Sequence, residues 1–251
     1  MTAPTLKLTH PTATIQLNNP ESANRLTVDD LEVLMNLINQ INENEAITIL
    51  VLKSTGKYFC SGFDISSLDQ DAKEKSLLFE DVVNAVEDCR PITIASLQGG
   101  VYGGATDLAL ACDFRIGCEA TEMFMPAAKL GIHFYQRGLE RYVSRLGIDV
   151  AKRLLLKAEK IDSREMKSIG FLTELVECKD LNDAIQNLIS LIQPMAPLSL
   201  LGMKKHLNKI ARNQLDLTQL NSDIAKAQNS EDLKEGRNAW LEKRPAQFKG
   251  F

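Results

Sequence analysis

Two apolar runs, residues 47–52 and 91–97, constrain the fold of this chain more than any other feature. Neither contains a charged residue, and both are rich in β-branched and aliphatic side chains. A strand that is apolar on both faces is buried on both, which is the signature of a parallel sheet covered by helices. Each run leads into a glycine-bearing loop and then into a helical pattern. Strand, loop, helix, strand in this rhythm predicts an α/β body with right-handed crossovers.

The rest of the chain is consistent with that frame. Apolar alternation at residues 6–8 and 13–17, split by His10-Pro11, predicts a hairpin. Thr27 is placed to cap a helix with Asp29 and Asp30 in its first turn, and Leu31, Leu34, Leu37, Ile38 and Ile41 recur at helical spacing. A helix is expected around residues 73–89 and a strand at 114–117. From about residue 136 the patterns are almost all helical, with a capped short helix after Asp162 and a short strand at 172–176. The expected organisation is a core over residues 1–195 and a helical C-terminal region over 196–251.

Composition excludes several classes. A net charge of −4 argues against a nucleic-acid surface. No apolar run reaches the length of a membrane span, and no charged n-region with an apolar h-region opens the chain, so neither a span nor a secretion signal is expected. The five cysteines are odd in number and form no C-x-x-C pair, so neither a disulfide framework nor a zinc site is expected. Cys112 and Cys118 read as buried inert thiols, and the expected location is cytoplasmic. No metal and no separate cofactor are implied.

The strongest chemical signal lies in the two glycine loops. Gly62 follows the first apolar run, and Gly99, Gly100, Gly103 and Gly104 follow the second. Glycine permits close backbone approach, and a helix N-terminus offers unpaired N–H groups. One N–H from each loop, converging on a single carbonyl oxygen, would stabilise an oxyanion. Two tight turns that need glycine only for packing are the plainer alternative. No dinucleotide or P-loop motif is present.

Four segments resemble a known family. Phe59-Cys60-Ser61-Gly62-Phe63-Asp64-Ile65, the stretch from Gly99 to Asp113, Pro126-Ala127-Ala128-Lys129-Leu130-Gly131 and the tail from Trp240 to Phe248 are similar, in order, to motifs of the crotonase (enoyl-CoA hydratase/isomerase) superfamily. The resemblance implies a spiral of ββα units with a helical C-terminal trimerisation region, forming a homotrimer or homohexamer. It implies an acyl-CoA thioester as substrate, with CoA arriving as part of it. Carried over by position, the N–H groups of Phe63 and Gly104 would be the oxyanion donors. Gly62, Gly103, Asp64 and Ile65 would line the CoA path. Arg25 and Lys249 would meet the CoA as well.

The sequence departs from the family at the acid/base pair. Family hydratases use two glutamates; here Asp107 stands at the first position and Ala127 at the second. Asp107 is one methylene shorter, and Ala127 has no acid/base function. The segment after it supplies His133, Tyr135 and Arg137, so His133 and Tyr135 join Asp107 as candidate catalytic groups. The alternative has Phe134 and Tyr135 packing while His133 and Arg137 face solvent or bind carboxylates. Asp107 also has a plainer role, as a helix cap. Cys60 and Ser61 lack a neighbouring base and are not read as nucleophiles. The expected function is an acyl-CoA lyase of the hydratase/isomerase type. Alternatives are decarboxylation of a malonyl-type CoA, which needs no base at the α-carbon, and a non-catalytic acyl-CoA-binding paralogue.

Overall fold

The computed structural model describes residues 3–65 and 72–250. A hairpin opens the chain: β1 (Thr5–Thr9) pairs antiparallel with β2 (Thr12–Leu17). Helix α1 (Val28–Glu43) follows a capping box, in which Thr27 Oγ1 accepts from the Asp30 N–H at 3.2 Å and Asp30 Oδ2 accepts from the Thr27 N–H at 2.9 Å. Leu31, Leu34, Ile38 and Ile41 form its buried stripe. Then come β3 (Ile49–Ser54), α2 (Ala72–Asp88), β4 (Ile92–Leu97), the short β5 (Val101–Tyr102) and α3 (Gly104–Ala111). Strands β6 (Phe114–Cys118) and β7 (Glu122–Phe124) lead to α4 (Gln136–Leu146) and α5 (Ile148–Lys157). After them run β8 (Ile161–Asp162), α6 (Ser163–Ser168), β9 (Glu174–Val176) and α7 (Leu181–Ile192). Helices α8 (Pro197–Ala211), α9 (Leu217–Gln228) and α10 (Glu231–Glu242) close the chain.

The strands form two sheets. The larger has the order β1-β2-β3-β4-β6-β9, parallel from β2 onward. All six residues of β4 are buried, as its apolar run demands. The smaller sheet has the order β5-β7-β8. Its two- and three-residue strands carry no readable alternation, and sequence reasoning did not find them. Helix α3 is buried from Ala105 to Ala111, which explains its lack of a polar face.

The chain divides into two compact units, Met1–Ile185 and Gln186–Phe251. Within the second, Asp232 accepts from the backbone N–H groups of Lys249 and Gly250, and Glu235 takes a two-pronged pair from Arg244. No single helix among the described residues is long and apolar enough to cross a membrane.

One expectation is overturned. Cys118 is not an inert thiol: it is bridged to Cys178, with Cα atoms 4.8 Å apart. The parallel pairing of β6 with β9 sets Cys118 opposite Val176, which brings Cys178 alongside from a separation of 60 residues. No local spacing encodes that pairing. Cys60, Cys89 and Cys112 are buried thiols outside the bridge. Cys118, Glu119 and Cys178 have metal-ligand spacing, but the bridge engages both sulfurs.

Candidate functional site

The two glycine loops meet. Cys60 and Val101 form an isolated parallel bridge, and the Tyr102 N–H donates to the Cys60 carbonyl at 2.9 Å. Gly62 has φ +93°, and a Cβ there would lie 2.9 Å from both Gly104 N and Tyr102 O. Only glycine permits this backbone angle together with this approach. The amides flanking Phe63 are used: Leu26 N–H donates to Gly62 O, and Asp64 N–H donates to Leu26 O, each at 2.9 Å. Among the described residues, the Phe63 N–H has no acceptor of its own. The Gly104 N–H lies in the first turn of α3, where the helix supplies no acceptor. Two unused N–H groups thus sit on adjoining loops. Phe79 packs beside them, its ring 2.4 Å from where a Gly104 Cβ would stand and 5.9 Å from the Phe63 ring centroid.

Cys60 organises the loop rather than reacting. Its thiol donates to Asn24 O at 3.0 Å, its sulfur accepts from the Gly62 N–H at 3.3 Å, and burial pushes its pKa up to about 12. Asp64 pairs with Arg25 at 3.3 Å, which joins two of the expected CoA-contact residues. Ile65 is exposed, beside them in the chain. Gly103 opens α3, its N–H on Phe124 O at 3.0 Å. Lys249 is exposed and belongs to the second unit.

The side-chain half of the site is built around Asp107, which is fully buried. It lies in the fourth position of α3, so it does not cap the helix. Arg141 grips it with two parallel bonds, Nε to Oδ1 and Nη2 to Oδ2, each 2.9 Å. The Tyr135 hydroxyl donates to the same Oδ2. Arg141, 1% exposed, also donates to Glu87 Oε2 at 2.8 Å and to Asn84 Oδ1 at 3.2 and 3.3 Å. Glu87 in turn takes Arg137 at 2.6 Å and faces Arg145 at 3.9 Å. Burial works against the Arg141 charge, but the Asp107 and Glu87 carboxylates outweigh it and raise its pKa. Burial, reinforced by Asp107, pushes the Tyr135 phenol well above the usual tyrosine range.

The structure brings Tyr135 to Asp107 and leaves His133 apart. His133 is exposed, its Nδ1 beside the carbonyl oxygen of Phe134 at 2.8 Å, and it makes no hydrogen bond to Asp107 or Tyr135. Phe134 stacks on Tyr135 at 4.7 Å and meets Tyr142 edge-on at 5.8 Å. Ala127 is buried at the start of a 3-10 turn, Ala127–Leu130, and offers only a methyl group. Sequence reasoning missed Arg141, Glu87 and Asn84. The available signal was the spacing of Arg137, Arg141 and Arg145, four residues apart on one face of α4.

A two-sheet α/β fold with adjoining glycine loops thus frames a buried carboxylate held by Arg141 and Tyr135. The sequence model of the enoyl-CoA hydratase/isomerase family matches residues 9–250. The chain belongs to the enoyl-CoA hydratase/isomerase family, which acts on acyl-CoA thioesters. It is 31% identical over 246 residues to YngF of Bacillus subtilis, covering 95% of each chain. It is 26% identical over 248 residues to the methylmalonyl-CoA decarboxylase of Escherichia coli, covering 95% of this chain and 94% of that one. An enoyl-CoA hydratase structure from Bacillus anthracis superposes with a TM-score of 0.90 at 27% identity, covering 99% of each chain.

Proposed function

We propose that this protein is an acyl-CoA lyase that holds a thioester carbonyl between the N–H groups of Phe63 and Gly104 and works through the enolate. The observation that carries this reading is the pair of unused backbone donors on loops locked together at Gly62. Donors aimed at developing negative charge in a dry site are worth far more than in water. Because they are backbone groups, Ser61 and Phe63 in place of the family's alanines do not remove them.

The proton chemistry differs from that of a two-glutamate hydratase. Both Asp107 oxygens are committed to Arg141 and Tyr135, and Ala127 supplies no second carboxylate. The remaining proton carrier is Tyr135, whose hydroxyl reaches Asp107, three residues or about 4.5 Å of helix rise from Gly104. These groups suit decarboxylation of a malonyl-type thioester. The electron pair of the breaking C–C bond moves into the thioester, carbon dioxide leaves, and the enolate carbon takes one proton. No base is needed at the α-carbon. Tyr135, a phenol that burial keeps protonated, is the group to supply that proton, and its phenolate takes one back from solvent to close the cycle.

Hydration of a 2-enoyl thioester is the second reading, favoured by the family to which the chain belongs. Gly62, Gly103, Asp64, Ile65, Arg25 and Lys249 are the CoA contacts in either case. A homotrimer or homohexamer belongs to the same reading, since Met203, Leu207, Trp240 and Leu241 leave apolar area exposed for a second copy to cover. A cytoplasmic location follows from the CoA substrate, and the Cys118–Cys178 bridge is the observation that opposes it.

The test is a mass-resolved assay on a pool of malonyl-type and 2-enoyl-CoA thioesters, with Tyr135→Phe as control. Loss of carbon dioxide, slowed in the control, supports the decarboxylase reading. Gain of water overturns it in favour of hydration. Binding without turnover identifies a non-catalytic paralogue.

A further inference from the structure

We propose that Arg141 is a positioning residue: its guanidinium fork fixes the Asp107 carboxylate, and Asp107 in turn aims the Tyr135 hydroxyl at the first turn of α3. The inference rests on the reading above, in which Tyr135 carries the proton. A carboxylate held at one point pivots about that bond. One held by two parallel N–H bonds has its plane fixed, and an ammonium group cannot do this. The fork is itself held from behind. Arg141 Nη1 reaches Glu87 and Asn84, and Glu87 is gripped by Arg137. The orientation of Asp107 is therefore set by α2 and α4 together, not by α3 alone.

Helix α4 carries both ends of the arrangement. Tyr135 is its N-cap residue and Arg141 lies within it, so one rigid element presents the proton carrier and the residue that holds its anchor. Gly138, between them, leaves the room this needs: a Cβ there would stand 2.4 Å from the Phe134 ring and 3.0 Å from the Tyr135 ring. The fork also lets Tyr135 move. When its hydroxyl turns from Asp107 towards a substrate, Asp107 keeps two bonds and is not left as a bare buried charge. Asp107 is then an anchor, not an acid or base.

The experiment compares wild type, Arg141→Lys, Tyr135→Phe and the double variant. Arg141→Lys retains the positive charge but not the fork. The proposal expects kcat on the preferred thioester to fall by up to about 100-fold, the loss that an error near 1 Å produces, with KM unchanged. It expects no further loss on adding Tyr135→Phe, because both changes disable one device. It also expects guanidinium ion to restore part of the kcat of Arg141→Ala. Unchanged kcat in Arg141→Lys, or losses that add independently, overturns it. A second readout needs no turnover. With fluorotyrosine incorporated, the Tyr135 fluorine resonance, assigned by its absence in Tyr135→Phe, should move or split in Arg141→Lys. A resonance fixed at its wild-type position overturns the proposal even if activity is lost. A shifted resonance in a protein that turns over no thioester leaves the positioning intact and the functional reading refuted.

Discussion

The site has two halves that the sequence has treated differently. The backbone half, the adjoining loops at Gly62 and Gly103–Gly104, leaves the Phe63 and Gly104 N–H groups without an acceptor among the described residues. The side-chain half has a buried carboxylate, Asp107, with a tyrosine and an arginine placed on it, and a methyl group at Ala127. The contrast shows which kind of catalytic group tolerates substitution. A backbone donor depends on the path of the chain and survives any side chain that leaves φ and ψ in place. A general acid or base is lost by one substitution. On the proposed reading, polarising a carbonyl and moving a proton diverge within one fold.

The largest effect should come from breaking the side-chain half at its centre. Arg141→Met takes the guanidinium from the buried Asp107 carboxylate, leaving it the Tyr135 hydroxyl, and is expected to lower stability by roughly 3–5 kcal/mol, read by denaturant unfolding. Breaking the backbone half should spare more of the fold and damage turnover. Gly62→Ala introduces a Cβ 2.9 Å from Gly104 N at a positive φ, and a misplacement near 1 Å predicts about a 100-fold loss of activity.

A milder prediction concerns alkaline pH. Burial raises the pKa of Tyr135 and of Tyr142, so the folded phenols keep protons that unfolded ones release near pH 10. Above about pH 10 the unfolded state binds fewer protons, so stability falls as pH rises; below it the contribution is whole. Thermal unfolding across that range should show the decline, and Tyr135→Phe should reduce it. The smallest effect is expected from His133→Ala. His133 is exposed and outside both halves, so stability should stay within about 0.5 kcal/mol of wild type and turnover should be unchanged. A large loss there would redraw the site.

What the sequence made legible was local. The Thr27–Asp30 capping box, the buried stripe of α1, and the uncharged buried runs of β3 and β4 are set by residues within a few positions of one another. The glycine loops were legible for the same reason. What stayed hidden was non-local or short. Strands β5, β7 and β8 are too brief to show a period. Asp107 and Arg141 are 34 residues apart, and the choice of Arg141 among three evenly spaced arginines is made by how α4 packs. For residues 133–137 the sequence left two readings open, and the structure matches the one with Phe134 and Tyr135 packed, His133 exposed and Arg137 on carboxylates; what it adds is the bond from Tyr135 to Asp107. The Cys118–Cys178 bridge depends on the pairing of β6 with β9. It predicts three titratable thiols in denatured, unreduced protein, where the cysteine count alone suggested five.

The central claim is that the carbonyl-binding half works with a tyrosine in place of a carboxylate pair. The most direct test is turnover of a malonyl-type CoA thioester in deuterium oxide by wild type and by Tyr135→Phe. The account predicts carbon dioxide release with one deuterium at the product α-carbon, and a slowed reaction in Tyr135→Phe. Efficient addition of water to an enoyl-CoA, unchanged in rate when Tyr135 is replaced, would contradict it.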